Sequence, residues 1–290
     1  MPELPEVETM RRGVLPVVGS TICEVEFVKS RYKKILVSPR AATFRRRAEG
    51  QQITDIGRIG KRVVLHLASE DAIVIEPRMT GLVLLADPPN EQHLRVGFHL
   101  QDGPVHTLWF WDRRGLGTVR LMSPADRDEM LGPRKLGPDA LLISAADLKE
   151  RLGHSRREIK VALLDQKVVA GVGNLYASEL LHVAGIHPAK RCDRISSRQW
   201  TAIADAMQAI LQEAIKYEGS TLSDGTYRNA LNVEGGYQNC HRVYGRQDEK
   251  CPRCRTSKIQ RIVQAQRSTF FCARCQTKRG TADSGSSVKK

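Results

Sequence analysis

Four cysteines near the C-terminal end, Cys251, Cys254, Cys272 and Cys275, form the pattern C-x2-C-x17-C-x2-C. This is the spacing of a four-thiolate zinc ribbon. Each close pair can fold round one side of a tetrahedral ion, and the residues between the pairs, IQRIVQAQRSTFF among them, can form the hairpin that unites them. Four sulfur ligands leave no position for water, so the one Zn2+ expected here is structural and not hydrolytic. A second reactive group stands at the opposite end of the chain. Removal of Met1, expected when the next residue is small, exposes Pro2 as a secondary amine. An α-amino group has a reference pKa of about 7.7 to 8, against about 10.4 for lysine, so part of it is unprotonated near neutrality and can act as a nucleophile. A nearby helix N-terminus lowers it further. By itself, a proline at this position is no more than a tolerated residue.

Composition bounds the setting of these groups. The 290 residues carry 46 Lys and Arg against 32 Asp and Glu, a formal charge of +14. A polyanion is the expected partner, although a merely basic or ribosome-associated protein would have the same balance. With 41% hydrophobic and 27% charged residues the chain suits soluble globular packing and leaves the disordered and membrane classes aside. No segment has the apolar run of a signal peptide or of a membrane span, so a cytoplasmic protein is expected. Of seven cysteines, Cys23, Cys192 and Cys240 lie singly and read as packing. A reducing compartment with one metal site explains this usage better than disulfides.

The elements that must position these groups follow from the pattern of apolar residues. MPELPEVETMRRGVLP reads as a helix, with Pro5 at its first position, Glu6 and Glu8 at its positive end, and Val7, Met10 and Val14 on one face. Pro16 and Gly19 end it. From Thr21 to Met122 short β-rich runs (ICEVEFV, RVVLHL, AIVIE, LVLLA, LRVGFHL, HTLWFW) are separated by turn residues, which predicts a β-sandwich or barrel. Helical periodicity dominates from Ser144 to about Tyr217. Within it, KVALLDQKVVAGVGNLYASELLHVAGIHP reads as two helices broken by the AGVGN turn, with Asn174 placed to cap the second. Free N–H groups in such a turn suit a phosphate, and a purely structural helical hairpin would look the same. Residues 218–249 predict a long loop with mobile parts, and the tail after Gly280 predicts disorder.

MPELPEVET, GVGNLYASE and RSTFFCARCQ together resemble the bacterial formamidopyrimidine-DNA glycosylases (the Fpg/Nei family), over about residues 1 to 278. The resemblance implies a multidomain α+β protein: an N-terminal helix and β-sandwich forming a catalytic domain (1–135), a helical helix-two-turn-helix DNA-binding domain with a lesion-capping loop (136–235), a zinc-ribbon β-hairpin (236–278) and a disordered tail (279–290). It implies that the Pro2 nitrogen attacks C1′ of a damaged nucleoside, displaces the base and leaves an iminium, after which the flanking phosphates are lost by β,δ-elimination. Glu3 matches the general acid/base and Glu6 a supporting carboxylate. Lys61 matches the lysine beside the lesion phosphates, and Arg267 the arginine that clamps the phosphates of the flipped nucleotide. His93, Arg114 and Arg156 match contacts to the DNA backbone, and Asn174 sits in the phosphate-binding turn. Met79 and Arg114 match two residues that fill the void left by the extruded base, and Leu116 takes a place usually held by Phe.

The sequence departs from the family at four positions. RRGLG places Gly115 and Leu116 where R-R-F-G is usual, Glu76 stands where His commonly precedes the Met, and Ser223 stands where a basic residue is usual. The expected activity is a bifunctional glycosylase and AP lyase of base excision repair acting on oxidised purines such as 8-oxoguanine and formamidopyrimidines, on double-stranded DNA, as a monomer of the bacterial nucleoid. Preference for oxidised pyrimidines, as in the endonuclease VIII branch, is the sibling reading, from which the PELPEVE opening departs. A catalytically silent, zinc-stabilised DNA-binding protein is the reading of another class, and intact Pro2, Glu3, Lys61 and Arg267 argue against it.

Overall fold

The computed structural model describes residues 2–222 and 225–277. Helix α1 (Leu4–Gly13) buries Leu4, Val7 and Met10, as its sequence periodicity requires, and its first residue is Leu4, so that Pro5 occupies the second helical position. Two sheets follow. One has the order β1-β7-β8-β6, formed by β1 (Thr21–Phe27), β6 (Gly81–Leu84), β7 (Leu94–Gln101) and β8 (Thr107–Asp112). The other has the order β2-β9-β5-β4-β3, formed by β2 (Leu36–Ser38), β3 (Ile53–Ile59), β4 (Arg62–Leu67), β5 (Ala72–Glu76) and β9 (Thr118–Met122). Their facing apolar positions, such as Val25, Phe98 and Phe110 from one and Ile56, Leu65 and Ile75 from the other, make a single core. Of the sandwich or barrel that the short β-rich runs predict, two separate sheets facing one core make it the sandwich.

Helix α2 (Ala41–Ala48) lies within the stretch read as β-rich and turns Phe44 and Ala48 into that core. Past α3 (Pro124–Leu131), the second unit contains α4 (Ala145–Leu152), α5 (Ile159–Leu163), α6 (Asn174–Ala184) and α7 (Ser197–Lys216), packed around Tyr176, Trp200 and Met207. Hairpin β10 (Gln260–Gln264) and β11 (Arg267–Phe271) then joins the four cysteines. Residues 218–249 have little regular structure, only a short turn of helix at Tyr237–Cys240 among those described, yet Tyr237 is fully buried. Ser223 and the tail expected to be disordered lie outside the described residues.

The two cores interlock. Leu4, from the first helix, packs in the helical core, while Tyr227 and Ala230, from the loop after α7, complete the core of the sandwich. A charged clamp runs along the same seam: Arg58 of β3 donates to Glu8 of α1 at 3.0 Å and to Asp139 at 2.7 Å. Three arginines share Glu8, since Arg11 and Arg12 also bond to it, and these partners hold its carboxyl below the usual glutamate range despite partial burial. No helix among the described residues is long and apolar enough to cross a membrane.

Candidate active site

The seam between the units holds a cavity of about 380 Å³ lined by Glu3, Glu6, Met79, Asn174, Leu175, Ser220, Leu222, Tyr244, Arg267 and Ser268. Elements remote in sequence therefore meet at one place: the start of α1, the turn before α6, the loop after α7 and the zinc hairpin. Pro2 is buried directly before Glu3. The Glu3 carboxylate accepts hydrogen bonds from the backbone N–H of Leu175 at 3.0 Å and of Tyr176 at 3.4 Å. These are orphan donors of the first turn of α6, and a negative charge is favoured at that end of a helix.

This contact explains the glycine turn. The residue preceding α6 is Gly173, with extended backbone, and a Cβ there would lie 2.3 Å from the Glu3 carboxyl carbon. Only glycine lets the carboxylate come so close. Asn174, expected to cap the helix, is instead its first residue, because Glu3 already satisfies the N–H groups a cap would take. Its side chain does different work: it accepts a hydrogen bond from the Lys160 ammonium and donates to the Ser268 carbonyl at 3.0 Å. The amide thus joins the turn, α5 and the zinc hairpin.

Three basic groups converge here. Lys61, at the turn from β3 to β4, donates to the Val172 carbonyl at 2.9 Å. Burial pulls its ammonium below the ordinary lysine value, an effect that Glu3 opposes and Arg267 reinforces. Lys160, wholly buried in α5, is pulled down to about 8 by burial and by Arg267. Arg267 itself is exposed at the first position of β11, immediately after a hairpin turn at Ala265 and Gln266. A buried hub supports these groups. Glu6 accepts from the Glu3 N–H at 2.8 Å, the Tyr176 hydroxyl at 2.5 Å and the Ser220 N–H at 2.9 Å. Burial and the neighbouring Glu3 raise its carboxyl above the ordinary glutamate value.

A second group of expected residues lies outside the cavity. Asp112, fully buried at the end of β8, accepts from the N–H of Arg114 at 3.2 Å, of Leu116 at 2.8 Å and of Gly117 at 2.8 Å. It folds the turn so that Arg113 and Arg114 are exposed and Leu116 half-buried. Gly115 in that turn has φ +59°, and a Cβ there would lie 2.2 Å from the Lys33 carbonyl oxygen, so the departure at this position carries its own backbone requirement. His93 stands beside Tyr32 and Trp111, and Arg156 is exposed ahead of α5. Glu76 is paired with Arg62 at 3.2 Å and Arg78 at 3.3 Å, so its carboxylate is neutralised by two neighbouring guanidinium groups.

Sequence reasoning missed Lys160, Asp112, Ser220, Tyr244 and Glu179. The last is fully buried in α6 and accepts from the N–H groups of Arg242, Val243 and Tyr244 at 2.9, 2.9 and 2.8 Å, fixing the chain that carries Tyr244 to the cavity. Lys160 in RREIK and Glu179 in YASE were visible, but their partners lie elsewhere in the chain.

The four cysteine sulfurs lie within 4.8 Å of one another. Two of the separations, Cys251 to Cys275 and Cys254 to Cys272, are 3.8 Å, which is the edge expected, about 3.8 Å, when four thiolates surround zinc at about 2.3 Å. The residues fit one structural Zn2+. Chelation should free the hairpin, loosen the Asn174 to Ser268 tie and displace Arg267. Activity is then expected to fall at least about tenfold while most far-ultraviolet circular dichroism from the helical unit persists. Full activity in metal-free protein would show that the hairpin does not position Arg267.

Comparison with known proteins finds relatives over most of the chain. Residues 1–119 match the formamidopyrimidine-DNA glycosylase N-terminal domain, 136–226 the H2TH domain of the same enzymes, and 248–278 a zinc finger found in FPG and IleRS. The formamidopyrimidine-DNA glycosylase of Bacillus subtilis is 40% identical over 96% of this chain and 100% of its own length, and that of Chloroflexus aurantiacus 39% identical over 95% and 98%. A Lactococcus lactis Fpg variant crystallised with DNA containing Fapy-dG superposes with a TM-score of 0.85 at 34% identity, covering 96% of this chain and all of that one. The Thermus thermophilus Fpg protein gives a TM-score of 0.82 at 35% identity, covering 96% of this chain and 100% of its own. With three matched domains in order and two fifths of its residues shared with a full-length relative, the chain belongs to the formamidopyrimidine-DNA glycosylase family.

Proposed function

We propose that the protein is a DNA glycosylase of base excision repair with AP lyase activity, acting on oxidised purines in double-stranded DNA. The observation that carries this reading is the Glu3 carboxylate, held next to Pro2 on the first turn of α6 and facing a cavity ringed by Arg267, Asn174 and Ser220. In this reading the freed Pro2 nitrogen attacks C1′ of an extruded nucleotide, the C1′–N bond to the base breaks, and the iminium that remains acidifies the C2′ proton. Glu3 protonates the ring oxygen and then shuttles protons. Loss of that C2′ proton expels the 3′ phosphate, and a second elimination expels the 5′ phosphate. Lys61 and Arg267 hold those phosphates, Met79, Arg114 and Leu116 fill the vacated space in the duplex, and His93, Arg156 and Asn174 contact the backbone. Extrusion itself costs a few kcal/mol, which such contacts offset. We take the protein to work as a monomer in the cytoplasm, on the nucleoid, and the units to divide near residues 135 and 235.

Borohydride should trap the iminium as a covalent adduct between the chain and a duplex containing 8-oxoguanine. Processed protein that releases the base without forming an adduct would rule the imine route out. The same duplex tests Lys160. Above pH 8 the free protein loses this charge, whereas a phosphate in the cavity would keep the proton on, so affinity is expected to fall between pH 7.5 and 9.5, by at most about tenfold per pH unit. Lys160→Met should bind more weakly at pH 7 and flatten the slope. Equal slopes by fluorescence anisotropy would exclude Lys160 from phosphate binding. For folding the sign differs: the unfolded lysine, at 10.5, holds a proton that the folded one gives up from about 8. The destabilisation is therefore complete below pH 8 and fades as the pH rises towards 10.5.

A further inference from the structure

The zinc finger meets the helical unit at a buried histidine. His182, in the last turn of α6, is 2% exposed, and its Nε2 lies 3.4 Å from the sulfur of the fully buried Cys251. Four thiolates around Zn2+ leave negative charge in excess, and buried charge needs hydrogen-bond donors. The finger's own N–H groups reach two of the sulfurs, those of Thr256 and Ser257 at Cys254 and those of Arg274 and Cys275 at Cys272. Cys251 meets a side chain from another unit. A thiolate can only accept, so this contact is favourable when Nε2 carries a proton; a bare Nε2 would set its lone pair against a negative sulfur. Nδ1 is buried and has no hydrogen-bond partner among the described residues, so no acceptor on that side draws the proton away. Nε2 is the donor in the neutral ring and in the cation alike.

Other bonds join the same elements. Arg253, between the first two cysteines, donates to the carbonyls of His182 at 3.3 Å and Val183 at 3.4 Å, and Gln276 donates to that of Ile186 at 2.9 Å. At the opposite end of α6, Asn174 donates to the Ser268 carbonyl of the hairpin. We propose that His182 is a positioning residue of the zinc site, donating its Nε2–H to the Cys251 thiolate so that α6 grips the metal-bound finger at both ends. This role needs only the fit of the four cysteines to Zn2+ and no catalytic assignment.

Nuclear magnetic resonance of the full chain, with spin-active cadmium in place of zinc and isotope-labelled histidine, tests this. The nitrogen shifts of His182 should show a protonated Nε2, and that proton should be coupled to the cadmium through the Cys251 sulfur. A bare Nε2 with the proton on Nδ1, or a direct one-bond coupling of cadmium to Nε2, would overturn the proposal, the second by making His182 a ligand. Since no substitution is involved, this measurement stands even if a variant fails to fold. In competition with a chelator, His182→Phe, which fills the space without a donor, should weaken zinc about 10 to 100-fold, as loss of a hydrogen bond to a metal ligand does. His182→Gln, which keeps an N–H donor, should recover most of that loss. Arg253→Ala breaks a tie between the same elements without touching the sulfur and should weaken zinc much less. Unchanged affinity in His182→Phe, or equal losses in all three variants, would also overturn the proposal, because packing alone would then account for the contact. No arm reads base excision, so the outcome is independent of the glycosylase reading.

Discussion

A chain that carries an uncleaved residue ahead of Pro2 is expected to lose both base release and strand nicking by at least about 10³-fold, some 4 kcal/mol in barrier height. An amide nitrogen has no available lone pair, and Lys61 and Lys160 are amines of the same site that could replace it. Both have ammonium groups shifted downward by burial, but each is tied: Lys61 to the Val172 carbonyl and Lys160 to Asn174. Pro2→Gly should behave differently. Its primary amine can still form an imine, so adduct formation by borohydride should weaken without vanishing, and duplex affinity should change little. The decisive measurement is single-turnover excision with the N-terminus checked by mass spectrometry. Undiminished turnover by the extended chain would mean that an internal lysine is the nucleophile.

Glu3→Gln should reduce base excision by about 10² to 10⁴-fold, the usual worth of a positioned proton donor and acceptor. The amide can keep one hydrogen bond from the first turn of α6, but its NH2 end faces another N–H, so the turn should also be strained. Nicking of a preformed abasic site is expected to fall much less, because there is no base to expel and the aldehyde is already available. Comparing the two substrates separates a proton-transfer role from a structural one. Equal losses on both would mean that Glu3 serves to hold α6 and Pro2 in place.

The parts of this arrangement that were legible in the sequence are those set by short spacing. The cysteine pairs, the alternating strands and the apolar face of α1 all follow from residues within a few positions of one another. What was not legible depends on contacts across the chain. Asn174 has the chemistry of a cap, yet it is not one, because a carboxylate about 170 residues away takes the N–H groups of α6. Lys160 reads as an ordinary charge in a short basic run until α6 and the hairpin enclose it. Helix α2 was hidden because only Phe44 and Ala48 turn inward from a stretch otherwise full of arginine. Asp112 looks like one more turn aspartate, although its carboxylate shapes the whole of the turn that presents Arg114 and Leu116.

The interlocked cores bear on how the chain is made. When Met122 leaves the ribosome every strand of the sandwich has been synthesised, but Tyr227 and Ala230, which fill its interior, have not. At about 5 to 20 residues per second, roughly 5 to 20 s of translation separate the two events. During that interval the nascent sandwich has an opening in its hydrophobic interior. Its closure awaits the emergence of the loop that also borders the cavity of Glu3 and Arg267, so the segment that completes the first core also furnishes Ser220 and Leu222 to that cavity.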